Sequence, residues 1–308
     1  MQSLLLAAAD PASHVYNHYF LKNGDGYWVW SGHQGNLILS GIILCLVGWW
    51  VAKKVSTGPE SEGHDRYITR NRFAHMIEVI CVYLREEVAR PQLGARTEKI
   101  MPFLWTLFFF ILVNNLLGLI PFLEIMHFIN PTWGAEHRTP LGGTATQNIW
   151  VTGFLAIVAG IFYNLVAVRH LGVIGFFKHM TAGAPFPFSI FIFFLELLSQ
   201  ILIKPFALAL RLFANMTAGH ILLATLFSFA GMVVGSHLLI RGPVTLIAIL
   251  GGFGIMLLEI FVAFMQAFIF MFLTTVFIAL MDHHDEHEHE QHHGVDSEYP
   301  HAMGHEHA

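Results

Sequence analysis

Charge is what this chain most lacks. Of its 308 residues, 12% are Asp, Glu, Lys or Arg, against 55% that are hydrophobic. A soluble domain carries about 25% charged residues, so roughly half the charge needed to dress a water-facing surface is missing. That shortfall excludes an ordinary soluble enzyme, a nucleic-acid binder and a disordered chain. Cysteine is scarce as well: Cys45 and Cys81 are the two in the sequence, and they give no disulfide framework. The apolar–polar alternation of a membrane barrel is absent, no internal repeat is visible, and there is no Gly-x-x-x-x-Gly-Lys phosphate loop. What remains is a set of continuous apolar runs, the signature of a polytopic helical membrane protein. The formal net charge of −5 misrepresents that body, because eight of the 21 acidic residues lie after Leu280.

Five hydrophobic blocks stand out: Leu37–Ala52, Met101–Leu123, Ile149–Val168, Phe188–Gly235 and Val244–Met281. The first ends in Trp49-Trp50 and Lys53-Lys54, an interface anchor. The last two are too long for upright spans. The fourth, about 48 residues, would extend roughly 70 Å as one helix at ~1.5 Å per residue, against a hydrocarbon core of about 30 Å. It is either two spans broken near Lys204-Pro205 or one strongly tilted, bent helix. With the short turn Ser236–Pro243, the two long blocks suggest an inclined hairpin.

Lys53 to Lys99 holds nine of the 16 Lys and Arg residues. Within it, Phe73, Met76, Ile77, Ile80, Leu84 and Val88 recur at helical spacing, with Arg70, Arg72, Glu78, Arg85, Glu86 and Glu87 on the other face. This reads as an amphipathic helix at the membrane surface, cytoplasmic by the positive-inside rule. Arg169 and Lys178 fall on the same side, whereas Lys22, Arg138 and Arg241 fall outside. Five crossings then put the N-terminus outside and the C-terminus in the cytoplasm. The expected organisation is an extracytoplasmic segment 1–36 and a membrane domain 37–281. The membrane domain contains the interfacial segment 53–100 and the long hairpin 188–281. A His-rich cytoplasmic tail, 282–308, follows. Met1–Asp10 carries an apolar patch without a basic n-region, which is a weak signal-peptide pattern. The loop Glu124–Asn148 is expected to be polar and outside.

Inside the long hairpin sit residues that are expensive in lipid: Glu196, Lys204, Arg211, His220 and Glu259. A charge at the bilayer centre costs about 2.5–3.5 kcal/mol on insertion scales. Lys204 snorkels or marks a helix break. Arg211 cannot be neutralised, so it needs an anionic partner and nearby water; an Arg–Glu pair within the chain is the structural alternative. Asn215 lies four residues on, along the same face. If the hairpin folds back near residue 240, His220 comes level with Glu259, as a proton relay or as a buried hydrogen bond. Gln266 shares nearly one face with Glu259. His220, nine residues after Arg211, points to the opposite side of an ideal helix.

The stretch from Lys204-Pro205 through Arg211-Leu212-Phe213-Ala214-Asn215-Met216 to Gly219-His220 closely resembles the signature of subunit a of F-type ATP synthase. Gln266-Ala267-Phe268-Ile269-Phe270 is similar to that family's last-helix motif. Phe110–Pro121, with its Asn pair, and Thr144-Ala145-Thr146-Gln147-Asn148 resemble two earlier segments in the same order. The resemblance covers roughly Arg70 to Met281. It implies an all-α integral membrane protein of about five transmembrane helices plus an interfacial helix. The last two helices would be long, tilted and packed as a hairpin against the c-ring.

The resemblance also implies a function. A stator subunit would offer two offset half-channels that load and unload protons on ring carboxylates, coupling proton flow to rotary ATP synthesis or hydrolysis. Arg211 matches the family's essential arginine. His220 and Glu259 match the outer half-channel, with Glu and His exchanged relative to some members. Asn215 and Gln266 match polar residues near the arginine, and Glu196 resembles the inner half-channel glutamate. Glu196 lies one residue farther from the Lys-Pro step than is usual, Ile203 stands where Ser is common, and Gly118 occupies a position that is acidic in some members. The implied partners are the c-ring, the peripheral-stalk b subunits and the lipid bilayer, in an energy-transducing membrane such as the bacterial plasma membrane. No cofactor, resident metal or catalytic residue is expected, and no small-molecule substrate besides the translocated ion.

Two other classes compete. A secondary transporter of a metal or another ion would use the tail's nine histidines as a collector, but it should show paired repeats and broken helices. A solvated tail is the preferred reading of that segment. An intramembrane enzyme would need His-Glu-x-x-His or a nucleophile with a placed base, and neither occurs in the apolar blocks.

Overall fold

The computed structural model describes residues 19–55, 69, 71–120, 122–130, 139–181, 188–233 and 237–280. The His-rich tail and the N-terminal apolar patch lie outside the described residues. Among the described residues, five helices are long and apolar enough to cross a membrane: Gly32–Lys54, Arg72–Gly118, Ile149–Arg169, Phe188–Leu226 and Arg241–Leu280. They fall on the five apolar blocks of the sequence; the chain is an all-α membrane protein, and its described residues add one small β-hairpin.

That hairpin joins β1 (Tyr19–Lys22) to β2 (Trp28–Ser31) in antiparallel pairing. Its turn is Asn23-Gly24-Asp25-Gly26, with Gly26 at φ 84°, a conformation that glycine adopts without steric cost. Ser31 ends the strand and starts α1 (Gly32–Lys54) through a capping box with Gln34. The helix therefore begins before the apolar run at Leu37, because a cap and not hydrophobicity sets its start. At its far end Lys53 Nζ lies 3.5 Å from the centre of the Trp49 ring, the cation–π geometry of an interface anchor.

The segment expected at the membrane surface forms α2 (Arg72–Tyr83), a π-helical turn at Leu84–Ala89 and the single turn α3 (Arg90–Leu93). Its apolar stripe changes partner along its length. Phe73 and Met76 are exposed, whereas Leu84 and Val88 are buried in the core shared with α4 (Thr97–Gly118). Gly94 makes the corner between them at φ 54° and ψ −129°, a region closed to side chains. Trp105 on α4 donates its indole N–H to the Cys81 carbonyl at 3.1 Å, tying the interfacial helix to the span.

After α4 come α5 (Phe122–Ile129), a 3-10 turn at Ala145–Gln147, and α6 (Ile149–Met180). The expected polar loop 124–148 is thus partly helical, and it returns into the protein. Asn148 caps α6 by accepting from the Trp150 N–H at 3.0 Å. The fourth block is one unbroken rod: α7 (Phe188–Leu198), a π-helical turn at Ser199–Ile203, and α8 (Lys204–Met232). Of the two readings left open by its length, the continuous one holds. α9 (Leu238–Leu280) begins inside the expected turn Ser236–Pro243. The Arg241 N–H already bonds to the His237 carbonyl at 3.0 Å, and Pro243 fits inside the early turns because its fixed φ is helical.

α8 and α9 pack on each other, and α6 and α4 pack on that pair. Their contacts use small buried residues, among them Ala156, Ala159, Ala209, Ala263 and Ala267. This is how helices approach closely where lipid removes the hydrophobic drive for association.

Candidate functional site

The polar residues of the long helices fall into two clusters on either side of Arg211. The first is built around the returning loop. Thr144, Thr146 and Gln147 are buried, and two helices claim them. Thr144 Oγ1 lies 2.8 Å from His220 Nε2 on α8. Thr146 donates to Asn115 Oδ1 on α4 at 2.8 Å, and Asn115 donates in turn to the Ala263 carbonyl on α9 at 3.3 Å. Gln147 donates to the Met216 carbonyl on α8 at 3.3 Å. The loop is stapled to the start of α1 as well: Trp30 donates to the Pro140 carbonyl at 3.0 Å and Asn36 to the Gly143 carbonyl at 2.5 Å. A polar segment inside an apolar bundle is tolerated only when its groups are paired, and these bonds supply the pairing.

Gly118 makes the arrangement sterically possible. A Cβ there would stand 2.0 Å from Thr144 Oγ1, so the hydroxyl that reaches His220 occupies the space a side chain would need. Glu259 sits at the same level. It is buried, and a Cβ on Gly219 would stand 2.6 Å from its Oε1. Among the described residues that oxygen has no hydrogen-bond partner. His220 and Glu259 are therefore neighbours in depth, as the hairpin geometry predicts, with Thr144 as the partner His220 holds. One helical turn nearer Arg211, Asn215 donates to Gln266 Oε1 at 2.7 Å, bridging α8 and α9.

The second cluster lies at the junction of α7 and α8. Lys204 Nζ is 3.5 Å from Glu196 Oε1, and Gln200 Nε2 donates to the same oxygen at 3.0 Å. The extra residue between Glu196 and the Lys-Pro step is absorbed by the π-helical turn Ser199–Ile203, since i→i+5 bonding accommodates one residue more than an α-turn. Lys204 neither breaks the helix nor points away; it is half-buried in an ion pair.

Arg211 stands between the clusters on an exposed face of α8 shared with Ala207, Ala214, Asn215 and Ala218. Among the described residues it forms no ion pair and no side-chain hydrogen bond, so the intrachain Arg–Glu alternative has no counterpart there. At ~1.5 Å per residue the nine residues to His220 put that side chain about 13 Å farther along the axis. The returning loop is the part that sequence reasoning missed. Thr144, Thr146, Gln147 and Asn115 carry most of the bonds around His220, and the signal was a run of hydrogen-bonding side chains directly after Gly142-Gly143.

Among the described residues no group of three or more His, Cys, Asp or Glu is placed to hold a metal ion.

Known proteins are similar to this chain in sequence. The chain is 40% identical to "ATP synthase subunit a 2" of Chlorobaculum tepidum over 70% of its own length and 55% of that protein. It is 35% identical to "ATP synthase subunit a" of Chlorobium phaeobacteroides strain BS1 over 81% of itself and 65% of that protein. It is 36% identical to "ATP synthase subunit a" of Myxococcus xanthus over 73% of itself and 67% of that protein. The match thus spans little more than half to two thirds of these relatives. The family profile described as ATP synthase A chain covers residues 36–279, and this chain belongs to that family.

Proposed function

We propose that this chain is the proton-conducting stator subunit of an F-type ATP synthase, without covalent chemistry of its own. The observation that carries the reading is Arg211: a permanent charge on an exposed α8 face, lying along the rod between a Glu196 cluster and a His220–Glu259 cluster. The Ala207, Ala214 and Ala218 methyls beside it leave room for a neighbouring helix to come close. The occupant of that face is a ring of subunits, each carrying one carboxyl group.

A ring carboxyl that meets Arg211 is favoured in its ionised form. Its proton leaves through one cluster, and the carboxylate is reloaded from the other after nearly a full turn of the ring. His220 and Glu259, with Asn215 and Gln266 deeper in, form the outer path. Glu196 forms the path on the side of the membrane that carries the soluble head. Arg211 repels protons and keeps the two paths apart. The separation matters energetically, since each proton crossing is worth about 2.3 kcal/mol per 100 mV and a leak would dissipate it.

The continuous α7–α8 rod supports this reading over a secondary transporter, which would bind its cargo at broken helices. In this account segment 1–36 is extracytoplasmic, 53–100 cytoplasmic and interfacial, and 282–308 a solvated cytoplasmic tail. The b subunits hold the chain against the ring. Arg211→Ala in membranes containing the whole complex tests the assignment: ATP-driven proton pumping is lost while the complex still assembles. Pumping at the unaltered rate would refute it.

A further inference from the structure

The α7–α8 rod stays unbroken although Pro205 lies within it, and the way it does so assigns a role to a residue on another helix. In the π-helical turn the Lys204 N–H bonds to the Ser199 carbonyl, five residues back. The next donor in that register is residue 205, and proline has no N–H. The carbonyl that residue 205 would serve in that register is that of Gln200, in surroundings where backbone groups need partners. It is not left unpaired: the Tyr163 hydroxyl on α6 donates to it at 2.7 Å. Tyr163 is fully buried. Gly160, one turn earlier on α6, lets the helices meet here, since a Cβ there would stand 3.2 Å from Pro205 Cγ.

The turn sets which residues share a face. Glu196 and Lys204 are eight positions apart, which in a plain α-helix leaves them about 80° out of line. Widening one turn to i→i+5 takes up one residue and brings the offset to about 20°. In that arrangement the ammonium and the carboxylate come within 3.5 Å. The Phe277 ring joins the parts, lying edge-on to Tyr163 at 5.7 Å between centroids and 5.4 Å from Lys204 Nζ.

We propose that Tyr163 is a positioning residue for the Glu196–Lys204 pair: its hydroxyl supplies the hydrogen bond that Pro205 cannot, and so holds the π-helical turn that brings the two charges together. Without the hydroxyl, the turn relaxes toward i→i+4 bonding and Glu196 rotates away from Lys204. The effect on proton movement rests on the role proposed above for Glu196.

The test is a double-mutant cycle on the assembled complex in membrane vesicles, read as ATP-driven proton pumping per assembled complex. Tyr163→Phe keeps the ring and removes the donor, and it should lower pumping about tenfold, the scale of one buried hydrogen bond lost. Pro205→Ala restores a backbone N–H at the position that lacks one and should by itself pump normally. Tyr163→Phe with Pro205→Ala should recover most of the lost rate, because a backbone N–H replaces the lost hydroxyl donor. Should Tyr163→Phe impair assembly, recovery of assembly in the double variant carries the same meaning. Normal pumping in Tyr163→Phe, or no recovery in the double variant, overturns the proposal. Glu196→Gln separates the two readings: if it pumps normally, the Glu196 pathway fails, whereas the rescue result still judges the tyrosine donor.

Discussion

The two polar clusters flanking Arg211 are built by opposite means. Around His220, the polar atoms are imported. A loop returns into the bundle: its side chains bond to α8 and α4, its Gly143 carbonyl accepts from Asn36 of α1, and Asn115 of α4 carries the chain of bonds on to α9. Around Glu196, one rod supplies the ion pair and its supporting amide, by changing its own hydrogen-bond register for one turn. The first construction depends on close steric fit among separate segments. The second depends on a local helical defect that α6 repairs from outside. Steric overlap in the first should therefore be felt more than the loss of any one polar contact.

Between the two clusters themselves, the largest effect is expected at Gly118. In Gly118→Ala the new Cβ falls inside the Thr144 side chain, and because overpacking costs about 1–3 kcal/mol, Thr144 is driven off His220. ATP-driven pumping should fall at least about tenfold with the complex still present in the membrane. Pumping equal to the unaltered protein would show that the loop yields without cost, and the contrast between the clusters would disappear. A smaller effect is expected from Thr144→Val, which keeps the shape and removes the hydroxyl. Losing one such bond costs about 1 kcal/mol, so pumping should drop about fivefold and return in Thr144→Ser. Failure of the serine variant to restore it would assign Thr144 to packing alone.

The smallest effect belongs to the interfacial corner. There Arg90 pairs with Glu86 and, at 3.2 Å, with Glu98. Arg90 and Glu98 are more than half exposed, and pairs of that kind contribute about 0–1 kcal/mol. Arg90→Ala should leave pumping intact and lower the thermal midpoint of the complex by a few degrees at most, less so at high salt. A large loss would mean that the corner, and not the two clusters, governs the site.

What the sequence disclosed and what it hid follow from the same physics. Apolar runs long enough to span a membrane are visible without any knowledge of contacts, and the five spans fall where those runs are. Ionisable residues inside such runs stand out because they are costly, which is how Glu196, Lys204, Arg211, His220 and Glu259 were found. Contacts between segments distant in sequence leave no such trace. The bond from Thr144 to His220 crosses 76 residues and that from Tyr163 to Gln200 crosses 37. Nothing in a helical period signals either. Two helix starts differ from the apolar runs for a related reason: Ser31 starts α1 through a side-chain cap before Leu37, and Pro243, placed in the turn, lies inside α9 because its φ suits a helix. The β-hairpin had a local signal in Asn23-Gly24-Asp25-Gly26, overshadowed by the apolar run that follows it.

The central claim is that Arg211 keeps two polar paths apart. The most direct measurement is passive proton conductance through membranes stripped of the soluble head, comparing the unaltered complex with Arg211→Ala at matched amounts of assembled complex. The account predicts a higher conductance in the variant, because removal of the fixed positive charge lets the Glu196 and His220–Glu259 clusters communicate directly. Conductance no greater than that of the unaltered complex would contradict it.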